Sequence, residues 1–230
     1  MRLGVLIAVD AEAAAIRDDE FFHWKPDSRG SLRSEIYPLS FMQTGVGKVY
    51  AARAAAILAG DCDLLCTLGT AAGLSDEKIG QLFLCGDFFE HDMDASPLGF
   101  APGVTPFDIR TEAIMHTLGD NARSLVHLAL STAGLSAEDA SLASGDQFLA
   151  GRSKAHAVRR AFGAQLLDME SAAVAKIALL EKRQAFALRW VSDSADRSSP
   201  TDWATHVRRS AEVFRVLLRT LAPMLQQAKL

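Results

Sequence analysis

The sequence predicts an α/β fold, a single domain over residues 1–230 with three α/β/α layers and a central mixed, mostly parallel sheet. Short apolar runs of strand length alternate with longer segments whose apolar residues recur every three or four positions, which is the order of βαβ units. The length of 230 residues and a hydrophobic content of 49% are those of a globular protein that can bury a sizeable core.

The predicted elements follow from these two patterns. The first apolar run, residues 3–9, has no polar interruption, as expected of a strand covered on both faces. Similar runs predict the other strands, at residues 39–43, 64–68, 81–84, 164–167 and 186–191. Helical spacing predicts helices at residues 48–59, 121–133, 154–161, 171–181 and 207–226. Residues 94–106 contain three prolines and two glycines, and we expect a long loop of the kind that often carries function.

Charge and composition exclude several classes of partner. With 24 Lys+Arg against 28 Asp+Glu, the net charge of −4 gives no attraction to DNA, RNA or an anionic membrane. The N-terminal apolar run is cut short by Asp10 and Glu12, which argues against a signal peptide, and no run is long enough to span a membrane. Cys62, Cys66 and Cys85 lie in or beside apolar runs, as buried thiols do in a reducing compartment. We therefore expect a cytoplasmic protein.

Carboxylates stand where several predicted strands end. The first strand ends in DAE at residues 10–12, the fifth is followed by DME at 168–170, and the last ends in SD at 192–193. The third strand is followed by GTAAG at 69–73, which we interpret as a small-residue loop. Ligands of α/β sheets bind beyond the carboxyl ends of the strands. The sequence therefore predicts one crevice with several carboxylates, which is a catalytic arrangement.

Other motifs do not support a cofactor. The stretch GVGK at 45–48 lacks the further residues of a P-loop or of a dinucleotide fingerprint. The stretch HDMD at 91–94 has metal-ligand residue types, but we interpret it as a hydrogen-bonded turn. We expect neither a metal nor another cofactor.

Seven motifs occur in order along nearly the whole chain, at residues 10–12, 44–49, 69–74, 91–94, 144–148, 168–172 and 189–193. This series resembles the nucleoside phosphorylase superfamily, most closely its 5′-methylthioadenosine/S-adenosylhomocysteine nucleosidase branch. The resemblance implies a nucleoside phosphorylase-like fold, a homodimer, and an enzyme that hydrolyses the N-glycosidic bond of a 5′-modified adenine nucleoside.

The resemblance also implies roles for three carboxyl groups. Adenine leaves poorly unless its N7 is protonated, and Asp193 occupies the position of that acid. Glu12 occupies the position of the base that takes a proton from the attacking water. Glu170 would accept hydrogen bonds from the ribose hydroxyls and face the positive charge that develops on the sugar.

The same resemblance implies a set of substrate contacts. Phe148 would stack on the purine, and backbone groups at Phe148 and Leu149 would bind its edge. A carboxyl at Asp193 favours adenine over hypoxanthine, because it can also accept a hydrogen bond from the 6-amino group. The other expected contacts are Val46, Thr70, Ala71, Ala72, Asp168, Met169 and Trp203, together with Leu98, Phe100 and Pro106 of the long loop, which would reach across a two-fold interface.

Each of these residues also has a structural interpretation. Glu12 and Glu170 suit the first turn of a helix for electrostatic reasons alone, Asp193 suits a solvated strand end, and the apolar side chains suit a core.

Three other functions stay open. A phosphorylase needs a cationic clamp, and the approach to the glycine motif, CTLG at 66–69, has no cation. A futalosine-type hydrolase is disfavoured by Asp193, and a non-catalytic nucleoside-binding protein is disfavoured by the three carboxylates.

Overall fold

The computed structural model describes residues 1–108 and 110–227, which form ten β-strands and six α-helices. The strands are β1 Leu3–Ile7, β2 Trp24–Pro26, β3 Leu32–Ser34, β4 Leu39–Gln43, β5 Leu64–Gly73, β6 Leu82–Glu90, β7 Met115–His116, β8 Glu138–Ser144, β9 Leu166–Asp168 and β10 Gln184–Asp193. The helices are α1 Asp10–Arg17, α2 Lys48–Ala59, α3 Asp120–Thr132, α4 Arg152–Phe162, α5 Ser171–Leu180 and α6 Ser199–Gln227. The predicted α/β class is confirmed.

All ten strands belong to one mixed sheet. β1 lies between β4 and β5 and is parallel to both, and β3 and β2 extend the β4 edge by antiparallel pairing. On the other side β5, β10, β6, β8 and β9 close into a ring, because β9 pairs back onto β5. The longest ladders, β5 with β10 and β6 with β8, are parallel, so the carboxyl ends of several strands meet at one edge.

One edge of β5 changes partners halfway along the strand. β1 pairs with its first residues, from Leu64 to Thr67, whereas β9 pairs with Ala72 and Gly73. Among the described residues, 68–71 have no strand partner on that edge, so their polar groups are available to side chains. The expectation of a loop at 69–73 is therefore wrong: small residues without apolar alternation look like a loop, but pairing with β10 and β9 holds them extended.

Helices cover both faces of the sheet. On one face α1, α3 and α6 enclose a large apolar cluster that includes Ile16, Val126 and Phe214. On the other face α2 and α5 pack closely on β1 and β5 because their contact surfaces are built largely from alanines, such as Ala54 and Ala178. The predicted three layers are present, and all three cysteines are buried.

Several elements differ from the sequence expectation. α6 begins at Ser199, eight residues before the predicted start, because its first two turns are polar and lack the apolar spacing of the rest. α1 is missing from the helices that spacing predicts because it has only eight residues, although Glu12 suits the first turn of a helix. β8 was not predicted, because its small and acidic residues are held extended by tertiary pairing. The apolar pattern also did not predict the short strands β2, β3 and β7. Within the described residues, no helix combines the length and the apolar character that crossing a bilayer requires.

Candidate active site

A cavity of about 360 Å³ opens where β1, β5, β9 and β10 end. Its size is that of a pocket for a small organic ligand. The structure brings the three predicted catalytic carboxylates, Glu12, Glu170 and Asp193, to this one cavity. Nine of the predicted contact residues also line it: Val46, Thr70, Ala71, Ala72, Phe148, Leu149, Asp168, Met169 and Trp203.

Glu12 lies in the first turn of α1, which follows β1 after two intervening residues, and the residue is only 4% exposed. Its Oε1 accepts two hydrogen bonds from Thr70, one from the backbone N–H at 2.8 Å and one from the hydroxyl at 2.9 Å. That backbone N–H is free to do so because it lies on the unpaired edge of β5. Burial raises the pKa of Glu12, and the Thr70 bonds and the nearby Arg189 oppose the shift. The carboxylate therefore faces the cavity and does not serve as a helix cap.

Glu170 is the N-cap residue of α5. Its Oε1 accepts a hydrogen bond of 2.9 Å from the backbone N–H of Gly47, which precedes α2 with φ of +96°. Burial, together with the nearby Asp168 carboxylate, raises the pKa of Glu170 to about 7, and Arg189 opposes the shift. At neutral pH this group is therefore poised between its protonated and ionised forms.

Asp193 ends β10 just after an irregularity in the pairing with β5, where the register shifts between Val191 and Asp193. A bulge of this kind turns a side chain toward a new direction. Oδ2 of Asp193 accepts a bond of 2.8 Å from the Ser192 hydroxyl, and Oδ1 accepts one of 3.0 Å from the Ala195 N–H. The side chain is 3% exposed, so it is not a solvated strand end.

Arg189 is a site residue that sequence reasoning did not single out. Its guanidinium donates to Oδ2 of Asp168 from Nη2 at 2.6 Å and from Nε at 3.0 Å, and both side chains are almost fully buried. The hydroxyls of Ser171 and Ser144 also donate to Asp168, and Thr67 bonds to Ser171. The signal was available: an arginine inside an apolar strand must find a buried partner.

Asp168 is therefore held mainly by other protein groups, although it lines the cavity as expected for a contact residue. The guanidinium lies against the cavity floor, since a β-carbon at Gly69 would lie 2.7 Å from its Nη1 and 3.1 Å from both carboxylate oxygens of Glu12. A cation is thus present beside the glycine motif, contrary to what residues 66–69 alone indicate. Asp168, Glu170 and Glu12 all act electrostatically on this cation, so carboxylates balance its charge.

The apolar candidates are distributed between the wall and the mouth of the cavity. Leu149 is buried, whereas Phe148 and Val46 are about half exposed at 50% and 47%. The indole N–H of Trp203, near the start of α6, donates to the Thr70 hydroxyl at 3.0 Å. Leu98, Phe100 and Pro106 of the long loop are not among the residues that line the cavity of a single chain.

The segment that carries Phe148 is held by a network of charged side chains. Asp146 accepts a hydrogen bond from the Lys48 N–H at 2.8 Å, and its own N–H donates to Asp92 at 2.9 Å. The Lys48 ammonium in turn bonds to Asp92 at 2.6 Å and to Glu90 at 2.9 Å. The HDMD stretch thus contributes a carboxylate that ties this segment to α2.

The sheet, the carboxylate-lined cavity and the order of the motifs define a class of protein. The chain belongs to the phosphorylase superfamily, whose family model matches residues 2–222.

Within this family the chain is similar to nucleosidases. It is 24% identical, over 95% of its length and 97% of the relative's, to a 5′-methylthioadenosine/S-adenosylhomocysteine nucleosidase of Marinomonas sp.. The fold matches the Neisseria meningitidis 5′-methylthioadenosine/S-adenosylhomocysteine nucleosidase, crystallised with methylthio-immucillin-A, at a TM-score of 0.87 and 23% identity, with 97% of this chain and 99% of that one covered. It also matches the futalosine hydrolase of Helicobacter pylori at a TM-score of 0.84 and 22% identity, with 98% of each chain covered.

Proposed function

We propose that this chain is a purine nucleosidase that hydrolyses the N-glycosidic bond of a 5′-modified adenine nucleoside, such as 5′-methylthioadenosine or S-adenosylhomocysteine. One observation carries the proposal: Glu12, Glu170 and Asp193, from three distant parts of the chain, line one cavity whose floor holds Arg189, already paired to Asp168. The similarity to nucleosidases over nearly the whole chain supports it.

In the proposed reaction, Asp193 donates a proton to N7 of the purine while the bond between C1′ and N9 breaks and its electron pair moves to the base. The sugar becomes cationic, and the ionised Glu170 stabilises this charge and binds the ribose hydroxyls. Water attacks C1′ and gives one proton to Glu12. The products are free adenine and the 5′-modified ribose, and exchange with solvent returns the proton from Glu12 and reloads Asp193.

The electrostatics of the cavity favour water over phosphate as the nucleophile. Phosphate carries up to two negative charges at neutral pH and would enter a site with three carboxylates within the field of one arginine. Neutral water meets no such repulsion, and a buried glutamate with a raised pKa is a suitable base for it.

Substrate selection follows from the walls of the cavity in this proposal. Phe148 stacks on the purine, the backbone at Leu149 and the Asp193 carboxyl read its edge, and Thr70, Ala71 and Ala72 lie beneath the ribose. Val46, Met169 and Trp203 form an apolar wall for a 5′-thioether. Leu98, Phe100 and Pro106 of a second copy would complete this wall in a homodimer.

A chromatographic assay for released base tests the proposal. The panel comprises methylthioadenosine, S-adenosylhomocysteine, adenosine, inosine and futalosine, each with and without phosphate. We expect free adenine and a free pentose from the 5′-modified adenosines, with no acceleration by phosphate and little release of hypoxanthine. A pentose 1-phosphate product would indicate a phosphorylase, preferential cleavage of futalosine would indicate that hydrolase, and binding without cleavage would overturn the enzymatic proposal.

A further inference from the structure

Trp203 makes a polar contact that an apolar wall does not require. Its indole Nε1 lies 3.0 Å from the Thr70 hydroxyl oxygen, although the two residues are 133 positions apart in sequence. An indole N–H can only donate a hydrogen bond, so Thr70 is the acceptor. The direction of this hydrogen bond is therefore determined by chemistry alone.

This direction decides where the Thr70 proton points. A threonine hydroxyl has one proton and otherwise rotates to suit its surroundings. Because the oxygen accepts from Trp203, its proton is left to donate, and Oε1 of Glu12 lies 2.9 Å away. The result is a one-way chain from the Trp203 indole through Thr70 to Glu12.

The two oxygens of Glu12 are consequently not equivalent. Oε1 accepts both the hydroxyl and the backbone N–H of Thr70. No hydrogen bond reaches Oε2 from the part of the protein that the structure describes. An oxygen with two donors is a weaker proton acceptor than one with none, so the arrangement leaves Oε2 as the basic oxygen.

Other charges also act on this carboxylate. Arg189 of β10 favours its ionised form, whereas Asp168 at the end of β9 and Glu170 at the start of α5 disfavour it. The other two charged side chains of its own helix, Asp10 and Arg17, pair with each other. The hydrogen bonds from Trp203 through Thr70 therefore favour the ionised form of Glu12, as Arg189 does, and oppose the rise in its pKa that burial causes.

We propose that Trp203 is a positioning residue for the base: its indole N–H orients the Thr70 hydroxyl onto Oε1 of Glu12 and leaves Oε2 free to accept the proton of the attacking water. This inference rests on the proposed function, in which Glu12 activates water. It assigns to Trp203 a role in turnover in addition to the contact with the 5′ group.

The test replaces the indole by a ring without the N–H. Trp203→Phe keeps an aromatic wall but frees the Thr70 hydroxyl to rotate. We expect kcat to fall about threefold to tenfold, the effect of one lost hydrogen bond, with a smaller change in KM. Because the ionised form of Glu12 loses stabilisation, its pKa should rise. The acidic limb of the pH profile, where kcat/KM falls as Glu12 becomes protonated, should therefore move to higher pH by about half to one unit.

Trp190→Phe is the matched control. The indole N–H of Trp190 is buried and has no hydrogen-bond partner among the described residues, so this variant removes an N–H without breaking a bond. We expect its acidic limb to coincide with that of the unmodified protein. If the pH profile of Trp203→Phe also coincides with that of the unmodified protein and only KM changes, Trp203 contributes to substrate binding alone and the inference is wrong.

Thr70 variants give a second, independent readout. Thr70→Ser keeps the hydroxyl and should keep the acidic limb, whereas Thr70→Val removes the relay. In the Thr70→Val background, Trp203→Phe should shift the limb no further, since both changes break the same chain. Additive shifts would contradict the relay.

The outcome can be separated from failure of the proposed function. If the unmodified protein releases no base, or if Glu12→Gln keeps full activity, the proposed function fails. Titration of the Glu12 carboxyl carbon by NMR, assigned with Glu12→Gln, still tests the hydrogen-bond chain. An upward shift of this pKa in Trp203→Phe supports the chain, and an unchanged pKa refutes it.

Discussion

The guanidinium of Arg189 binds the carboxylate of Asp168 beneath the cavity, with Nη2 and Oδ2 only 2.6 Å apart and both side chains almost fully buried. Asp168 ends β9 and Arg189 lies in β10, two strands that do not pair with each other. The ion pair therefore ties two sides of the strand ring together below the three catalytic candidates.

Breaking this pair should destabilise the fold. In Asp168→Asn, the arginine loses its charged partner while still buried, which commonly destabilises a protein by about 3–5 kcal/mol. Urea unfolding, monitored by circular dichroism, measures the change in the free energy of unfolding. Lys25→Met is the control, because its ion pair with Glu35 is solvent-exposed and its loss should be undetectable. Equal stability of the two variants would show that the buried pair contributes nothing.

Asp193→Asn should separate chemistry from binding. The amide cannot protonate N7, so we expect kcat for methylthioadenosine to fall by about 10²–10⁴-fold, with little change in KM. Steady-state kinetics and calorimetric nucleoside binding measure the two effects. Asp139→Asn, an exposed change outside the cavity lining, is the control and should be neutral. Near-normal turnover of Asp193→Asn would remove this residue from the acid role.

Gly69→Ala should disrupt the floor of the site. The new methyl group would lie 2.7 Å from Nη1 of Arg189 and 3.1 Å from both oxygens of Glu12, so these groups have to move. A displacement of about 1 Å of catalytic groups commonly lowers rates by about 10²-fold. Gly60→Ala meets only ordinary contacts and should keep full activity. If Gly69→Ala were as active as Gly60→Ala, the catalytic geometry proposed for Glu12 would be wrong.

Stability should depend on pH through Glu170. Its pKa is about 7 in the folded protein against an ordinary value of 4.5, so the folded state binds more protons than the unfolded state between these values. The free energy of unfolding should therefore decrease as pH rises from about 4.5 to about 7, by at most ~1.4 kcal/mol per pH unit from this group. Glu12, whose pKa is also raised, acts in the same direction.

Glu170→Gln removes this contribution. The variant should show a flatter dependence of unfolding free energy on pH than the unmodified protein. The difference in stability should grow in its favour as pH rises from about 4.5 to about 7 and level off above pH 7. Urea titrations at half-unit steps from pH 5 to pH 8 measure both curves. Parallel curves would show that Glu170 ionises with an ordinary pKa in the folded protein.

The homodimer proposal predicts a loss of activity on dilution. Leu98 is 67% exposed in the single chain, and a second copy is expected to cover it. Leu98→Asp should weaken the dimer, as measured by sedimentation velocity, and should raise KM for 5′-thioether substrates more than it lowers turnover. Leu128→Asp, at 58% exposure on α3, is the control. A fully active monomer would contradict a shared binding site.

Apolar patterning predicted the α/β class and the positions of the long helices, because continuous apolar runs and helical spacing are local properties of the chain. α2 begins and ends at the predicted residues, and β4 does as well. Patterning failed where tertiary pairing holds polar or small residues extended, as in β8 and the second half of β5. It also missed the first two turns of α6, which bring Trp203 to the cavity.

The sequence by itself determined which residue types are available at the strand ends, and the parallel order of the strands was enough to expect their carboxylates at one edge. Only the tertiary structure decided the electrostatics of that edge. Arg189 of β10 lies beside Gly69 of β5, and Trp203 of α6 donates a hydrogen bond to Thr70 of β5. In each case the two residues are more than a hundred positions apart in sequence. Hydrogen bonds and charge act over a few ångströms in space, so contacts between segments this far apart in sequence leave no local pattern to read.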